Sequence, residues 1–174
     1  MNARIYRLRN LPTRLRGWKA EIYNKLGIGL CVSLSATHIA ADGTRTELGV
    51  LSRRLVTDTG VAYIVDGLQN LTEPENLNFH DAGTGVGAEA VGNTGLGTPW
   101  GGARVSGTQS EPAANQYRTT ATIPFTGTFA ITEHGVFSAS SAGTLLDRSV
   151  FTAINVVNGD SIQFQYTLTI NSGG

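Results

Sequence analysis

Residues Ser161 to Ile170 alternate without a break: Ile162, Phe164, Tyr166, Leu168 and Ile170 fall on one face, and Gln163, Gln165, Thr167 and Thr169 on the other. A period of two predicts a strand with one buried and one wet face. A slip of one residue would turn all five apolar side chains outward, so the register is fixed and a second apolar layer must lie opposite. Similar segments recur at Gln116 to Phe125, Gly127 to Thr132, Gly135 to Ser140 and Thr144 to Asn155, with a turn at Ser141-Ala142-Gly143. Asn158-Gly159 reads as a type I′ hairpin turn before the last strand. Nearer the N-terminus, Ile28 to Thr37 places Ile28, Leu30, Val32 and Leu34 on one face, Asp42-Gly43 makes a turn, and Thr46 to Val56 returns as strand. A short strand is expected at Leu77 to Asp81. The spacing of Val61, Ile64, Val65 and Leu68 predicts one short helix, capped by Thr57 or Asp58 and ending near Asn70. The sum is a mainly β protein, a jelly-roll-like antiparallel β-sandwich of about eight strands with one short helix.

Two segments depart from this pattern. Between Ala82 and Gly102 stand eight glycines in 21 residues. Such a stretch loses too much backbone entropy to form a regular element, so a long loop or arm is expected, with Trp100 exposed within it. Gly85, Gly87 and Ala90 match the dinucleotide fingerprint formally, but no helix pattern follows and no βαβ unit surrounds them.

The other is the N-terminus, where a net charge of zero conceals a division. Residues 1–25 carry Arg4, Arg7, Arg9, Arg14, Arg16, Lys19 and Lys25 against Glu21, a net +6, and the rest of the chain carries −6. The chain therefore divides into a basic arm, residues 1–26, and a sandwich domain, residues 27–174. Within the arm, Leu11, Leu15, Trp18 and Ile22 follow a helical period after Pro12, and an amphipathic helix is expected from about Thr13 to Lys25. Arg4, Tyr6, Arg7, Arg9, Arg14, Arg16, Trp18 and Lys19, with Trp100, are the candidate partner-binding residues. Docking on an acidic neighbouring protein is favoured over folding back on the chain's own body. Contact with nucleic acid is the weakest of the three readings, because the large apolar residues of the arm need a dry surface.

The catalytic inventory is thin. There is no nucleophile elbow and no His-Glu-x-x-His, and no cofactor is implied. His80-Asp81 and Glu133-His134 could meet as metal ligands, but each pair is expected at a strand end, where polar groups ordinarily satisfy backbone. Cys31 lies in the apolar run Ile28 to Leu34 and is expected as a buried free thiol. No apolar stretch approaches the roughly 18 residues of a membrane helix, and no signal-peptide core is present, so synthesis in the cytoplasm is expected.

Two stretches carry a resemblance. Ile131, Glu133, Gly135, Val136 and Phe137, followed by Gly143, Thr144, Leu145 and Leu146, resemble the strand-turn motifs of β-sandwich modules in virion proteins of tailed bacteriophages, and Val56 to Asn70 is similar to the helix before that sandwich. The resemblance implies a structural, non-enzymatic component of the phage particle. One form is a capsid decoration or cement protein that binds the major capsid protein or another virion protein, working as a homo-oligomer, with a trimer expected. The alternative is a tail or fibre module recognising host carbohydrate, with Trp100 stacking on a sugar.

Overall fold

The computed structural model describes residues 29–53 and 56–172. The basic arm, with Arg4, Tyr6, Arg7, Arg9, Arg14, Arg16, Trp18 and Lys19, lies outside the described residues.

Nine strands are seen among the described residues: β1 (Gly29–Ile39), β2 (Arg45–Ser52), β3 (Phe79–Gly83), β4 (Val105–Ser106), β5 (Thr108–Ala113), β6 (Gln116–Pro124), β7 (Phe129–Phe137), β8 (Leu145–Val156) and β9 (Ser161–Asn171). They form two antiparallel sheets, one in the order β2-β1-β9-β6-β5 and the other β4-β3-β7-β8. The β-sandwich read from the alternation is therefore the fold. The strand order does not carry the jelly-roll detail, because the hairpins β1–β2, β5–β6 and β7–β8 each stay within one sheet.

The last strand behaves as its pattern requires. Ile162, Phe164 and Tyr166 are fully buried and Leu168 nearly so, between β1 on one side and β6 on the other. They meet Ala82, Ile131, Val136, Leu146, Ile154 and Val156 from the second sheet in one core. Opposite them, the outer face of the larger sheet is a carpet of Ser33, Ser35, Thr37, Thr120, Thr122, Gln163 and Gln165 in cross-strand register.

Three local expectations change. Asn158-Gly159 does not close a hairpin: among the described strands β8 pairs with β7, and β9 with β1 and β6, so the turn carries the chain from one sheet to the other. Only Gly159 has positive φ there, whereas a type I′ turn needs it at both central residues. The backbone of Phe125 and the carboxylate of Asp160 hold this corner, with Asp160 accepting from the amides of Ala41 and Val157 and facing His38 at 3.0 Å. Second, β7 is one continuous strand where two were expected, and Gly135 lies within it rather than at a turn. Third, Cys31 is exposed. Parity decides this: Val32, Leu34 and Ala36 face inward, so Cys31 must face out despite its apolar neighbours.

The helix α1 (Asp58–Leu68) forms as its cap predicts, with the Thr57 hydroxyl accepting from the amide of Gly60 at 3.0 Å. The amide of Thr57 donates to Leu146 O, and a Cβ on Gly60 would stand 2.7 Å from that same carbonyl. The helix thus closes down on β8, the edge strand of the smaller sheet, and covers backbone that would otherwise be open. Its outer side leaves Val61, Val65 and Leu68 exposed, followed by Leu71.

Candidate functional site

Every residue of β7 from Ile131 to Phe137 is buried, which an ordinary sandwich strand with one wet face cannot achieve. Its inner side faces the larger sheet. Its outer side is covered by the glycine-rich loop that follows β3. Alternation along β7 therefore sends Glu133 and Gly135 toward the loop and His134 and Val136 into the sandwich.

On the loop side, Glu133 is the centre. Its carboxylate accepts from the amides of Gly85 (3.0 Å), Gly97 (2.9 Å) and Thr98 (2.7 Å), and from the guanidinium of Arg148 on β8 at 2.7 Å. Arg148 in turn donates to the carbonyls of Gly87 and Ala88 and to Asn93 Oδ1. Burial alone would push the Glu133 carboxyl up; the amides of Thr98 and Gly97 and the Arg148 guanidinium outweigh it and hold it below the usual carboxylate range. The backbone of a glycine loop does cradle an anion here, and the anion is the chain's own side chain. Gly85 and Gly87 of the formal fingerprint serve this arrangement.

The same contacts explain the glycines. A Cβ on Gly83 would stand 2.5 Å from both Glu133 Oε1 and Thr98 O, and one on Gly85 would collide with the carboxylate. Gly135 leaves room for Leu96 of the loop, whose Cδ2 would be 3.0 Å from an added Cβ. The loop is further tied by Thr84 N to Thr98 O and Trp100 N to Ala82 O. Of the two forms expected, a long loop or an arm, it takes the first, folded back on its own sandwich. Trp100 is corrected: half-buried, it stands edge-on to Phe125 and Phe129 at centroid distances of 4.9 and 5.5 Å. Its ring packs against the end of the core.

Also on the loop side, Asp81 faces Arg104 at 3.5 Å, and the Arg104 guanidinium lies 3.4 Å over the Phe137 ring. Burial raises the Asp81 carboxyl, and the Ala82 amide and Arg104 oppose it only in part.

On the inner side the two histidines do meet. His80 Nδ1 and His134 Nε2 are 2.9 Å apart, and His80 Nε2 is 3.0 Å from Thr119 Oγ1 across the sandwich. Both are mid-strand, not at strand ends as the sequence suggested. Burial holds His80 down to about 3 and His134 well below its ordinary value, so both rings are neutral. The His134 ring packs on Phe164 at 4.4 Å between centroids. Beside it, Asp147 and Ser149 of β8 also point inward, with Ser149 Oγ donating to Asp147 Oδ1 at 2.9 Å. Burial pushes the Asp147 carboxyl up to about 7.

This constellation has the residue types of acid–base chemistry but not its access. His80, His134, Thr119 and Asp147 have no exposed surface and Ser149 has 2%. A general base must come within hydrogen-bond reach of its substrate, and here β-strands fill that space. Asp81 and Glu133 point away from the histidine pair, and among the described residues no three His, Cys, Asp or Glu side chains come together to hold a metal ion. No helix among the described residues is long and apolar enough to cross a membrane.

The chain matches no known protein family, no curated protein and no solved structure.

Proposed function

We propose that this chain is a structural component of a tailed-phage particle, a capsid decoration or cement protein that clamps neighbouring shell subunits by binding rather than by chemistry. The observation that carries the reading is where the ionisable residues go. Glu133–Arg148, Asp81–Arg104 and the His80–His134 pair are consumed in holding the sandwich and its loop together, while the outer face of the larger sheet offers Ser, Thr and Gln. The apolar stripe Val61, Val65, Leu68 and Leu71 on and after α1 supports it as well, since a row of exposed large apolar residues suits a chain that docks on another subunit. So does the likeness of Ile131–Phe137 and Gly143–Leu146 to virion sandwich modules, positions that in this fold are the buried strand β7 and the turn into β8. The cations Arg4, Arg7 and Arg9 supply the reach toward an acidic shell surface.

Removing residues 1–25 tests this. The described sandwich has its own core, so the shortened chain should keep its β circular dichroism and lose attachment to particles. Attachment of the full chain should weaken between 0.1 and 1 M salt, as the Debye length falls from about 10 to about 3 Å. Undiminished attachment of the shortened chain would refute the role given to the arm.

A further inference from the structure

The apolar inner face of the larger sheet runs one step past its cover. Along β9 the exposure rises from 5% at Leu168 to 41% at Ile170, and along β1 from 8% at Val32 to 37% at Leu30. Leu30 and Ile170 are cross-strand partners, so the two form a single uncovered apolar step. Next to it, Ile170, Tyr117, Ala114 and Glu111 line a trough of about 510 Å³. A second recess of about 420 Å³ shares Tyr117 and Glu111 and continues the trough to Pro74 and Glu75. The surface is a core edge with acids on its rim.

The chain supplies an occupant next to it. Gly29, where the described residues begin, pairs with Asn171, and β9 in turn pairs with β6, whose Tyr117 stands opposite Leu168. Two strand spacings, roughly 10 Å, separate β1 from β6. The four residues 25–28 can span about 13 Å when extended. Immediately before them come Leu11, Leu15, Trp18 and Ile22 at helical spacing, interleaved with Arg14, Arg16, Lys19 and Lys25. Apolar residues in need of cover and cations in need of acids arrive at a surface with the opposite requirements. We propose that residues 11–25 of the same chain cover this end of the sandwich, with Leu11, Leu15, Trp18 and Ile22 on Leu30, Tyr117 and Ile170 and the cations beside Glu75 and Glu111. Arg4, Arg7 and Arg9 are then left to meet a partner. This inference does not rest on the particle reading and holds for the isolated protein.

Trp18 and Trp100 are the two tryptophans, so Trp100→Phe makes Trp18 the sole indole reporter. In the folded full-length variant its emission should be blue-shifted and its quenching by acrylamide several-fold weaker than in the denatured chain. Adding Ile170→Glu, at a position already 41% exposed, should return both toward the denatured values. Independently, Leu15→Cys with Ile170→Cys in a Cys31→Ser chain should oxidise to a disulfide within one chain at low protein concentration. Solvent-like Trp18 emission in the folded protein would overturn the proposal. So would burial of Trp18 that ignores Ile170→Glu, or a disulfide that joins two chains.

Discussion

Glu133→Gln should destabilise the protein by about 3–5 kcal/mol, the cost typical of removing one partner of a buried ion pair and leaving the other charge uncompensated. Glu133 is fully buried and Arg148 is 4% exposed, so water cannot replace the lost carboxylate. Glutamine retains one acceptor oxygen where the carboxylate serves three amides and a guanidinium. Its amide group must then face donors with a donor. Urea unfolding measures the total, and hydrogen exchange at Gly85, Gly97 and Thr98 locates it, because the loop should open before the sandwich does. Adding Arg148→Met should recover part of the loss by removing the orphaned charge, a coupling that a double-mutant cycle reads directly. A loss below about 1 kcal/mol with unchanged exchange would show that the loop is held by something other than this carboxylate.

Stability should fall steeply in acid, and Asp147→Asn should reshape that dependence. His80 and His134 are held far below 6.5 in the folded protein, so below that pH the unfolded chain binds two protons that the native state refuses. Asp147 works in the opposite sense. Its carboxyl is raised from 3.8 to about 7, so between those values the native state keeps a proton that the unfolded chain has lost, and stability declines as pH rises. From about pH 4 to 6.5 the two histidines outweigh Asp147 by one proton, and stability should climb by up to about 1.4 kcal/mol per pH unit, less in the lower part of the range where the raised Asp81 carboxyl also keeps its proton. Glu133, held below its ordinary value, adds a further loss below about 4.5. Asp147→Asn keeps an acceptor for Ser149 and removes the cost of burying a charge. Across the gap from 3.8 to about 7 that cost is worth about 4 kcal/mol at most. The variant should therefore gain stability over the parent at pH 8, gain little or none at pH 4, and lose stability in acid more steeply. Thermal unfolding across pH 4–8 checks this. A parent–variant difference that does not change with pH would mean that Asp147 is already ionised in the folded state.

The strands were legible where one periodic signal dominated. β9, β6 and β8 lie within a residue or two of their expected ends, and the helix begins at its Thr57 cap. Other features depended on contacts that no local pattern encodes. A glycine at 135 suggests a turn between two strands, whereas its missing Cβ makes room for the loop stacked on the single strand β7. β5 has no sequence signature, because Thr108–Ala113 is exposed throughout and carries no alternation. The Glu133–Arg148 clamp did leave a trace: each charge stands inside a segment with apolar residues at both parities, Ile131, Val136 and Phe137 around Glu133 and Leu145, Leu146, Val150 and Phe151 around Arg148, and a charge in such a segment must be paired. At Cys31 the run of apolar neighbours suggests burial, but the parity that the same run defines places its side chain outward.

Electron microscopy of intact tailed-phage particles assembled with the labelled chain tests the proposed particle role. A clamp between shell subunits should give label at regularly repeated positions on the outer surface of the capsid, bridging neighbouring subunits, and bare shells when the chain lacks residues 1–25. Particles without the chain, or label confined to the tail or its fibres, would contradict it.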